Sequence, residues 1–260
     1  MPEYWTLLTP EHISGSVLTS PEEVTGGDGL AGLEEVSPAK NLRYAAVREE
    51  STLMTAVFEW EGGATKSTSF PSDELVCVLE GTSRFTNPDG TVVQSFSAGE
   101  WFLVPGGWIG EWAGDALFRE FAIVPPVRWN AMFDADAPTD LLDRAAAPRV
   151  VDVSQLIADH ADDAATESAR VDELHTGDLN VRLVTVAAAA VVRPEVSDVD
   201  VLLSVVAGSA TVTAPNGDEL RVAAGSSVVL HENSGVALTL GDASSALITY
   251  APVTATPNED

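Results

Sequence analysis

Hydrophobic and polar residues alternate in short runs along most of the chain, and this alternation is typical of β-strands. Gly, Pro, Asn and Asp separate the runs, as at residues 87–90, where Pro88 fixes φ and Gly90 takes a positive φ in a hairpin turn. Many short strands at regular spacing predict an all-β fold of the sandwich or barrel type. The predicted strands are residues 53–60, 75–79, 84–86, 92–96, 101–104 and 117–124, and then 181–186, 199–206, 210–213, 220–222, 228–230, 236–240 and 246–251.

The two halves of the chain repeat one pattern. Residues 75–112 align with residues 202–240, so that Gly81 matches Gly208 and Gly90 matches Gly217. Between the halves, residues 139–146 and 153–161 have helical spacing, and Ser154 is a candidate cap for the second helix. We therefore predict an N-terminal extension (1–44) that packs on a barrel or a partner, an N-terminal barrel (45–126), a helical connector (127–174), a C-terminal barrel (175–253) and a tail (254–260).

Composition and charge exclude several classes of partner. The 260 residues carry 40 acidic and 13 basic side chains, for a net charge of −27. Nucleic acids and anionic membranes require clustered Lys and Arg, so we expect neither as a partner. The first residues lack the features of a signal peptide, and the longest apolar run, residues 184–192, is too short for a membrane span. Cys77 is the single cysteine. We expect an acidic, cytoplasmic protein that acts on small molecules.

Two segments of the first half resemble the two conserved motifs of the cupin superfamily. They are DELVCVLEG at residues 73–81 and GEWFLVPGGWIGEW at residues 99–112. The resemblance is to the branch that contains ureidoglycine aminohydrolase and the ethanolamine-utilisation cupins, and it extends over both halves. It implies a bicupin, with two double-stranded β-helix or jelly-roll barrels joined by a short helical connector. It also implies a homodimer, since open sheet edges need cover and cupins usually pair through them. The resemblance specifies a fold and leaves the reaction open.

The resemblance also indicates where a cupin would hold a metal ion. The first motif usually has His-X-His and Glu, and the second has a further His. Here Ser69 and Pro71 stand near the positions of the paired histidines, Glu74 fills the acidic position, and Gly110 stands at the last histidine position. Transition-metal sites need three or four N, O or S ligands. We therefore expect no metal and no other cofactor.

The second half departs further from the cupin pattern. Val201 stands at the position of the glutamate. Ureidoglycine aminohydrolase has a Glu-His-His-Gln metal site in its C-terminal barrel, and Glu195 alone matches it here. A metal site in this protein would have to be built from atypical ligands, such as Glu74, Cys77, Glu195 and His231.

Aromatic residues are concentrated in the first half. All six Trp and all eight Phe lie within residues 1–133, and Tyr250 is the single aromatic residue beyond them. Aromatic-lined cavities bind flat or apolar molecules, so we place any binding site in the N-terminal barrel. Phe70, Trp108 and Trp112 are the candidate substrate-binding side chains because they lie in or beside the motifs. The alternative is that the rings only fill a wide barrel.

Glu74 is the candidate catalytic acid or base. With a period of two, Glu74, Val76 and Val78 share one face of a strand, and the motif match makes that face the interior. Desolvation raises the pKa of a carboxyl in an aromatic interior, which suits proton transfer near neutral pH. The alternative places Glu74 at the barrel mouth, paired with Arg84 or Arg119.

Two basic residues complete the candidate site. Arg119, in the last strand of the N-terminal barrel, is a candidate catalytic residue that would orient a carboxylate or carbonyl group. Its alternative role is an ion pair at the surface or rim. Lys66, one of two lysines in the chain, would bind an anionic part of the substrate or would simply be solvated.

Three functions are compatible with these features. The first is a metal-independent enzyme of the isomerase, lyase, cyclase or C–N hydrolase type, working by acid–base chemistry in the N-terminal barrel. The second is a non-catalytic cupin that binds or senses a small molecule. The third is a metalloenzyme with atypical ligands. Loss of turnover in Glu74→Gln and Arg119→Ala would favour the first function.

Overall fold

A computed structural model of the chain describes residues 4–18, 33–37, 40–49, 52–127, 150–161, 169–192 and 198–252. These residues form strands and short helices, in keeping with the predicted all-β class. In chain order they are β1 (Trp5–Leu8), α1 (Pro10–Ser14), β2 (Leu33–Ser37), β3 (Lys40–Glu49), β4 (Met54–Glu61), β5 (Ala64–Ser67), β6 (Glu74–Glu80), β7 (Thr82–Thr86), β8 (Val92–Ser97), β9 (Trp101–Val104), β10 (Gly110–Gly114), β11 (Phe118–Val124), β12 (Val151–Asp152), α2 (Val153–Ala161), β13 (Arg170–His175), β14 (Asn180–Val186), β15 (Ala190–Val192), β16 (Val201–Ala207), β17 (Ser209–Thr213), β18 (Glu219–Ala223), β19 (Ser227–Leu230), β20 (Ala237–Leu240) and β21 (Ser244–Tyr250).

The chain divides into two compact units. One unit, the N-terminal barrel, comprises residues 13–49 and 54–156. Its sheets have the strand orders β12-β9-β6-β11-β4-β3 and β2-β5-β10-β7-β8. The other unit, the C-terminal barrel, comprises residues 1–12, 50–53 and 157–260. Its sheets have the orders β1-β19-β16-β21-β14-β13 and β15-β20-β17-β18.

The six-stranded sheets of the two barrels have the same strand order, as the internal sequence repeat predicts, and the other sheets differ by the added strand β2. Strands β6, β9 and β11 of the first correspond to β16, β19 and β21 of the second. A short strand lies beside the corresponding strands β9 and β19 in each barrel. In the N-terminal barrel it is β12, which follows the barrel in sequence. In the C-terminal barrel it is β1, from the segment predicted as an N-terminal extension.

Strand β1 is also fixed to the C-terminal barrel beyond its ladder. The backbone N–H of His231 donates to the carbonyl oxygen of Tyr4 at 3.2 Å. The ring Nε2 of His231 lies 3.2 Å from Thr6 Oγ1, and its Nδ1 lies 3.8 Å from Asp200 Oδ1. These contacts, together with the antiparallel pairing, give β1 a defined place in a sheet.

Each barrel has the hairpin turn that its Pro-X-Gly sequence predicts. Between β7 and β8, Gly90 N donates to Asn87 O at 2.9 Å, and Gly90 has a φ of 84°. Between β17 and β18, Gly217 N donates to Ala214 O at 2.9 Å, with a φ of 88°. A residue with a side chain is strained at such a φ, which explains why glycine occupies both turns.

An aspartate fastens the turn after β9 or β19 in each barrel. Asp73 Oδ1 accepts a hydrogen bond from Gly106 N at 2.7 Å, and Asp200 Oδ1 accepts one from Glu232 N at 3.0 Å. Both aspartates are buried and stand at matching positions of the repeat. A buried backbone N–H needs a partner, so each aspartate holds a turn that the sheet ladders leave unpaired.

Helix α2 lies in the described part of the predicted connector, which also contains β12 and most of β13. Its bounds equal those of the second predicted helix, but the cap differs from the prediction. Asp152 Oδ1 accepts a hydrogen bond from Gln155 N at 2.8 Å, which is the geometry of an N-cap. Ser154 Oγ instead accepts from Trp101 N at 2.7 Å. The first predicted helix, residues 139–146, lies outside the described residues.

The two barrel cores have different compositions. Met54, Val76 and Ala122 lie among aromatic rings in the N-terminal core, whereas the C-terminal core consists almost entirely of Val, Leu and Ala. No helix within the described ranges is long and apolar enough to cross a membrane. Most of the aromatic residues that the sequence concentrates in its first half therefore belong to the interior of the N-terminal barrel, whereas the C-terminal interior is almost entirely aliphatic.

Replacing Gly81 by Ala tests the close backbone approach at the start of β7. An added Cβ would lie 2.0 Å from Leu117 O at a φ of +81°. Gly90 is a matched control, since its φ is +84° and no atom lies within 4 Å of its Cβ position. We expect Gly90→Ala to cost about 1 kcal/mol, and Gly81→Ala about 3 kcal/mol or more because a clash adds to the backbone strain. Urea unfolding measures both, and equal losses would contradict the assigned contact.

Candidate functional site

Two carboxyl groups face the interior of the N-terminal barrel. Glu74 begins β6 and shares its inward face with Val76 and Val78, as the alternation predicts. Glu120 lies in β11 on the same face as Phe118 and Ala122, two members of the core. The exposed fractions are 4% for Glu74 and 2% for Glu120. Both carboxyl groups are therefore removed from bulk water.

Burial changes the acidity of both groups. Desolvation raises the pKa of Glu74 from 4.5 to about 8. Desolvation also raises the pKa of Glu120 well above its ordinary value, and the negative charge of Glu74 raises it further. Because each carboxylate disfavours ionisation of the other, the two groups titrate as a pair. Near neutral pH the pair retains at least one proton that it can donate.

Aromatic rings fill the interior around these groups. Phe85 is at the centre, with ring centroids 5.4 Å from Trp108 and 5.0 Å from Trp112. Phe70 lies 6.4 Å from Trp108 and 6.2 Å from Trp112. The indole N–H of Trp112 donates to Ser83 Oγ at 2.5 Å, which satisfies the one polar atom of this ring. All three predicted binding residues, Phe70, Trp108 and Trp112, therefore belong to one buried aromatic cluster.

Backbone hydrogen bonds hold the two motif segments together. Phe70 N donates to Trp108 O at 2.8 Å, and Gly107 N donates to Phe70 O at 2.6 Å. The bond from Gly106 N to Asp73 fastens the same turn from the residue next to Glu74. This network fixes Phe70 and Trp108 relative to the start of β6, although the two segments are far apart in sequence.

The space of the usual third histidine is occupied by an indole ring. A Cβ added at Gly110 would lie 2.4 Å from Cζ2 of Trp108 and 2.6 Å from Thr86 O. Ser69 and Pro71, which stand near the other histidine positions, are not transition-metal ligands of the usual kind. Among the described residues, no three His, Cys, Asp or Glu side chains are grouped to hold a metal ion. The residues present therefore do not fit a metal ion of the cupin type.

The atypical ligands are not grouped in the described structure either. Cys77 is largely buried, and desolvation raises the pKa of its thiol to about 12, which disfavours the thiolate that a metal would bind. His231 belongs to the C-terminal barrel, where it contacts Thr6 and Asp200. Glu195 lies outside the described residues.

Arg119 is not on the same face as Glu74. It precedes Glu120 in β11 and so points to the opposite side of the sheet, where the register places it between Glu59 of β4 and Glu80 of β6. Its Nη2 donates to the carbonyl oxygen of Ser14 at 2.8 Å. This contact is with a backbone carbonyl, whereas the alternative role given for Arg119 is an ion pair, and the alternation does not bring its guanidinium to the buried carboxyls.

Lys66 also lies outside the interior. It is exposed in β5 and stands opposite Glu111 of β10 in the antiparallel register. Its neighbour Ser67 is buried and stands opposite Gly110. The alternation therefore turns Ser67 inward and Lys66 to solvent, which corresponds to the solvated alternative.

Glu120 is the main residue that the sequence analysis did not select. Residues 117–124 were assigned to one strand, and alternation alone puts Glu120 on the face of Phe118, Ala122 and Val124. The sequence signal that could have identified Glu120 is a charged residue in a row of otherwise apolar residues. Arg119 was a candidate because a guanidinium can orient a carboxylate or carbonyl group, and this argument does not consider which face of the strand its side chain lies on.

The stability of the protein should fall as the pH rises through the range in which Glu74 titrates. The folded state holds the Glu74 proton more tightly than the unfolded chain, so this stabilisation is complete below about pH 4.5 and is lost towards pH 8. Glu74→Gln stays neutral, and we expect a flatter profile for it and a higher Tm than that of the parent above pH 8. Glu80→Gln, an exposed change in the same strand, is the control. Parallel profiles for Glu74→Gln and the parent would contradict the burial of an ionisable Glu74.

Trp108 and Gly110 should be energetically coupled. Gly110→Ala forces the new Cβ against the indole, and Trp108→Ala removes that contact but leaves the clash with Thr86 O. We expect the double variant to be less destabilised than the sum of the single variants by about 1 kcal/mol. A double-mutant cycle by urea unfolding measures this difference, and strict additivity would contradict the assigned ring position.

Comparison with known proteins supports the fold and does not extend to function. No family model matches the chain, and no curated protein matches it. Salicylate 1,2-dioxygenase from Pseudoaminobacter salicylatoxidans is similar in structure, with a TM-score of 0.59 and 12% identity over 96% of this chain and 83% of that one. A putative glyoxylate-induced protein from Pseudomonas aeruginosa matches at 0.55 and 14%, over 99% and 93% of the two chains.

A cupin 2 conserved barrel domain protein from Leptotrichia buccalis matches with a TM-score of 0.54 and 10% identity, over 87% of this chain and 99% of that one. At such identities the likeness concerns the fold alone. The strand order of each barrel and these structural neighbours together show that the chain has the cupin fold, in two copies.

Proposed function

We propose that this protein is a bicupin that acts on a small organic molecule in its N-terminal barrel by acid–base chemistry, without a metal ion. The reaction is of the isomerase, lyase, cyclase or C–N hydrolase type, because none of these needs a redox-active metal and each can be assisted by a general acid or base. Glu74 is the acid or base. The observation that supports this most is its buried carboxyl, whose pKa of about 8 lies close to neutral pH.

The second buried carboxyl supports a division of roles. In a coupled pair the loss of one proton leaves one carboxyl ionised and the other protonated, so the singly ionised pair offers both an acceptor and a donor. Glu120 shares the inward face with Glu74 and responds to its charge. In this proposal the second catalytic residue beside Glu74 is Glu120 and not Arg119.

The aromatic cluster gives the site its shape. Phe70, Trp108 and Trp112 are held by backbone bonds and mutual ring contacts, so they form a rigid apolar wall. Such a wall excludes water, which strengthens electrostatic interactions with a bound molecule. The position of the Trp108 indole at Gly110 supports a mechanism that does not use a cupin-type metal ligand set.

Turnover should depend on Glu74 and not on Arg119. Proton NMR in D₂O, with a library of small metabolites, would report both chemical conversion and solvent deuterium incorporated at carbon. We expect Glu74→Gln to lower kcat by about 10²-fold or more, the usual contribution of a general acid or base. Arg119→Ala should retain kcat, because its guanidinium binds a backbone carbonyl outside the interior.

The matched control for this experiment is Glu80→Gln, which makes the same change at an exposed position of β6. Circular dichroism confirms that each variant is folded. Retained turnover in folded Glu74→Gln would overturn the proposed role of Glu74. Loss of turnover in folded Arg119→Ala would return that residue to the site.

A non-catalytic binding or sensing cupin is the second candidate. The rigid aromatic wall favours it, because Phe70, Trp108 and Trp112 can hold an apolar molecule whether or not Glu74 transfers a proton. Ligand binding that persists in Glu74→Gln, with no conversion by the parent protein, would support this candidate. In either case we propose a cytoplasmic homodimer.

A further inference from the structure

The surroundings of Glu120 point to a class of ligand. In the antiparallel register Glu120 stands opposite Phe58 of β4 and Val78 of β6. Its side chain is 2% exposed, and its Oε2 has no hydrogen-bond partner among the described residues. A buried carboxyl oxygen without a partner is costly to the folded protein, so such an atom indicates a place for a missing donor or cation.

Aromatic residues lie next to Glu120 on the same face of the sheet. Phe118 lies two residues before Glu120 on the same face, and its ring centroid is 4.5 Å from that of Trp60. Phe58, opposite Glu120, is stacked on Tyr44 at 5.6 Å. Trp60 and Tyr44 are only partly buried, so the ring group extends from the interior to solvent. The negative faces of aromatic rings attract cations, as the carboxylate does.

Four basic residues of the barrel, whose placement the structure describes, are directed elsewhere. Lys66 and Arg84 are exposed, and Arg119 points to the outer side of the sheet. Arg43 forms an ion pair with Glu59, which alternates with the inward residues of β4. Glu74 and Glu120 thus share a face without a described basic side chain between them, so a bound cation would be the group that stabilises their ionised forms.

A second polar group in the interior is also unpartnered. Ser67 is 1% exposed, and its Oγ has no hydrogen-bond partner among the described residues. It lies in β5, opposite Gly110 and on the inward row that contains Trp112. It is an independent sign of a polar ligand, because a serine hydroxyl can donate to or accept from a bound group.

We infer that the molecule bound in the N-terminal barrel is a small organic cation, an amine or a quaternary ammonium compound. Its charge lies against Glu120 and Glu74, its alkyl groups contact Phe58, Trp60 and Phe118, and Ser67 pairs with a hydroxyl or carbonyl of the same molecule. A bound cation would stabilise the ionised forms of both carboxyls, whereas an anionic or a neutral molecule would supply no compensating charge. This inference rests on the proposed function and names its substrate class.

Matched pairs of cationic and neutral probes test the inference. Choline is compared with 3,3-dimethylbutan-1-ol, which replaces its nitrogen by carbon, and butylammonium is compared with pentane. Binding is followed by intrinsic tryptophan fluorescence, at an ionic strength that screens the acidic surface. We expect at least one cation to bind about tenfold more tightly than its neutral counterpart.

Three variants separate this site from general attraction to an acidic protein. Glu120→Gln should remove the tenfold preference without weakening the neutral probe. Trp60→Leu, which keeps an apolar side chain but loses the ring face, should reduce the preference by about threefold. Glu80→Gln, exposed and of equal charge change, should leave it unaltered. Circular dichroism establishes that each variant is folded.

The outcomes distinguish this inference from the proposed function. If no cation is preferred over its neutral counterpart, or if Glu120→Gln and Glu80→Gln behave alike, the substrate class is overturned. That result leaves the proposed function in place, since its own test is the turnover of Glu74→Gln. A cation preference that depends on Glu120, with turnover unaffected by Glu74→Gln, would instead support the binding site and overturn the acid–base role.

Discussion

Desolvation of two carboxyl groups in one barrel interior is the constraint on which the candidate site depends. Glu74 and Glu120 lie on the inward face of a sheet whose other inward residues are apolar. Neither an ionised pair nor an isolated carboxylate is stable there without compensation, so the acidity of both groups changes. The same aromatic packing that makes the site chemically distinct therefore also makes it costly to the fold.

The packing around these groups follows from what replaces the usual cupin ligands. Gly110 leaves a space beside the backbone, and the indole of Trp108 occupies it. Asp73 fastens the turn that carries this indole, so the ring is fixed by the backbone as well as by its neighbours. The aromatic wall is thus part of the barrel scaffold and not an addition to it, which links the stability of the fold to the shape of the site.

The sequence predicted most of the strands because hydrophobic alternation and Pro-X-Gly turns are local signals. Residues 101–104 and helix 153–161 have the predicted bounds, and the other predicted strands differ by only a few residues. The place of β1 beside β19 could not be predicted, since its pairing joins residues from opposite ends of the chain. The cap of α2 differed because Ser154 has a more distant partner, Trp101, which sequence spacing does not reveal.

The candidate site was predictable to the extent that it depends on alternation. Period two in β6 placed Glu74 inside, and the motif spacing placed Phe70, Trp108 and Trp112 together. The same rule applied to β11 distinguishes Glu120 from Arg119, but only once the inward row of that strand is known from its register. Burial without a partner, as at Glu120 and Ser67, is a property of the folded molecule and has no signal in sequence.

The two barrels share one scaffold but differ in the ionisable residues of their interiors. Val201 of β16 stands where β6 has Glu74, and it is buried among aliphatic residues in the C-terminal core. The turn-fastening aspartate is present in both barrels, although the inward carboxyl is present in one. If Glu74 were required for folding, an equivalent carboxyl would be expected in the second barrel, which has the same strand order. The aspartate therefore belongs to the scaffold that both barrels share, whereas the inward glutamates are particular to the N-terminal barrel, where we propose that they act on a bound molecule.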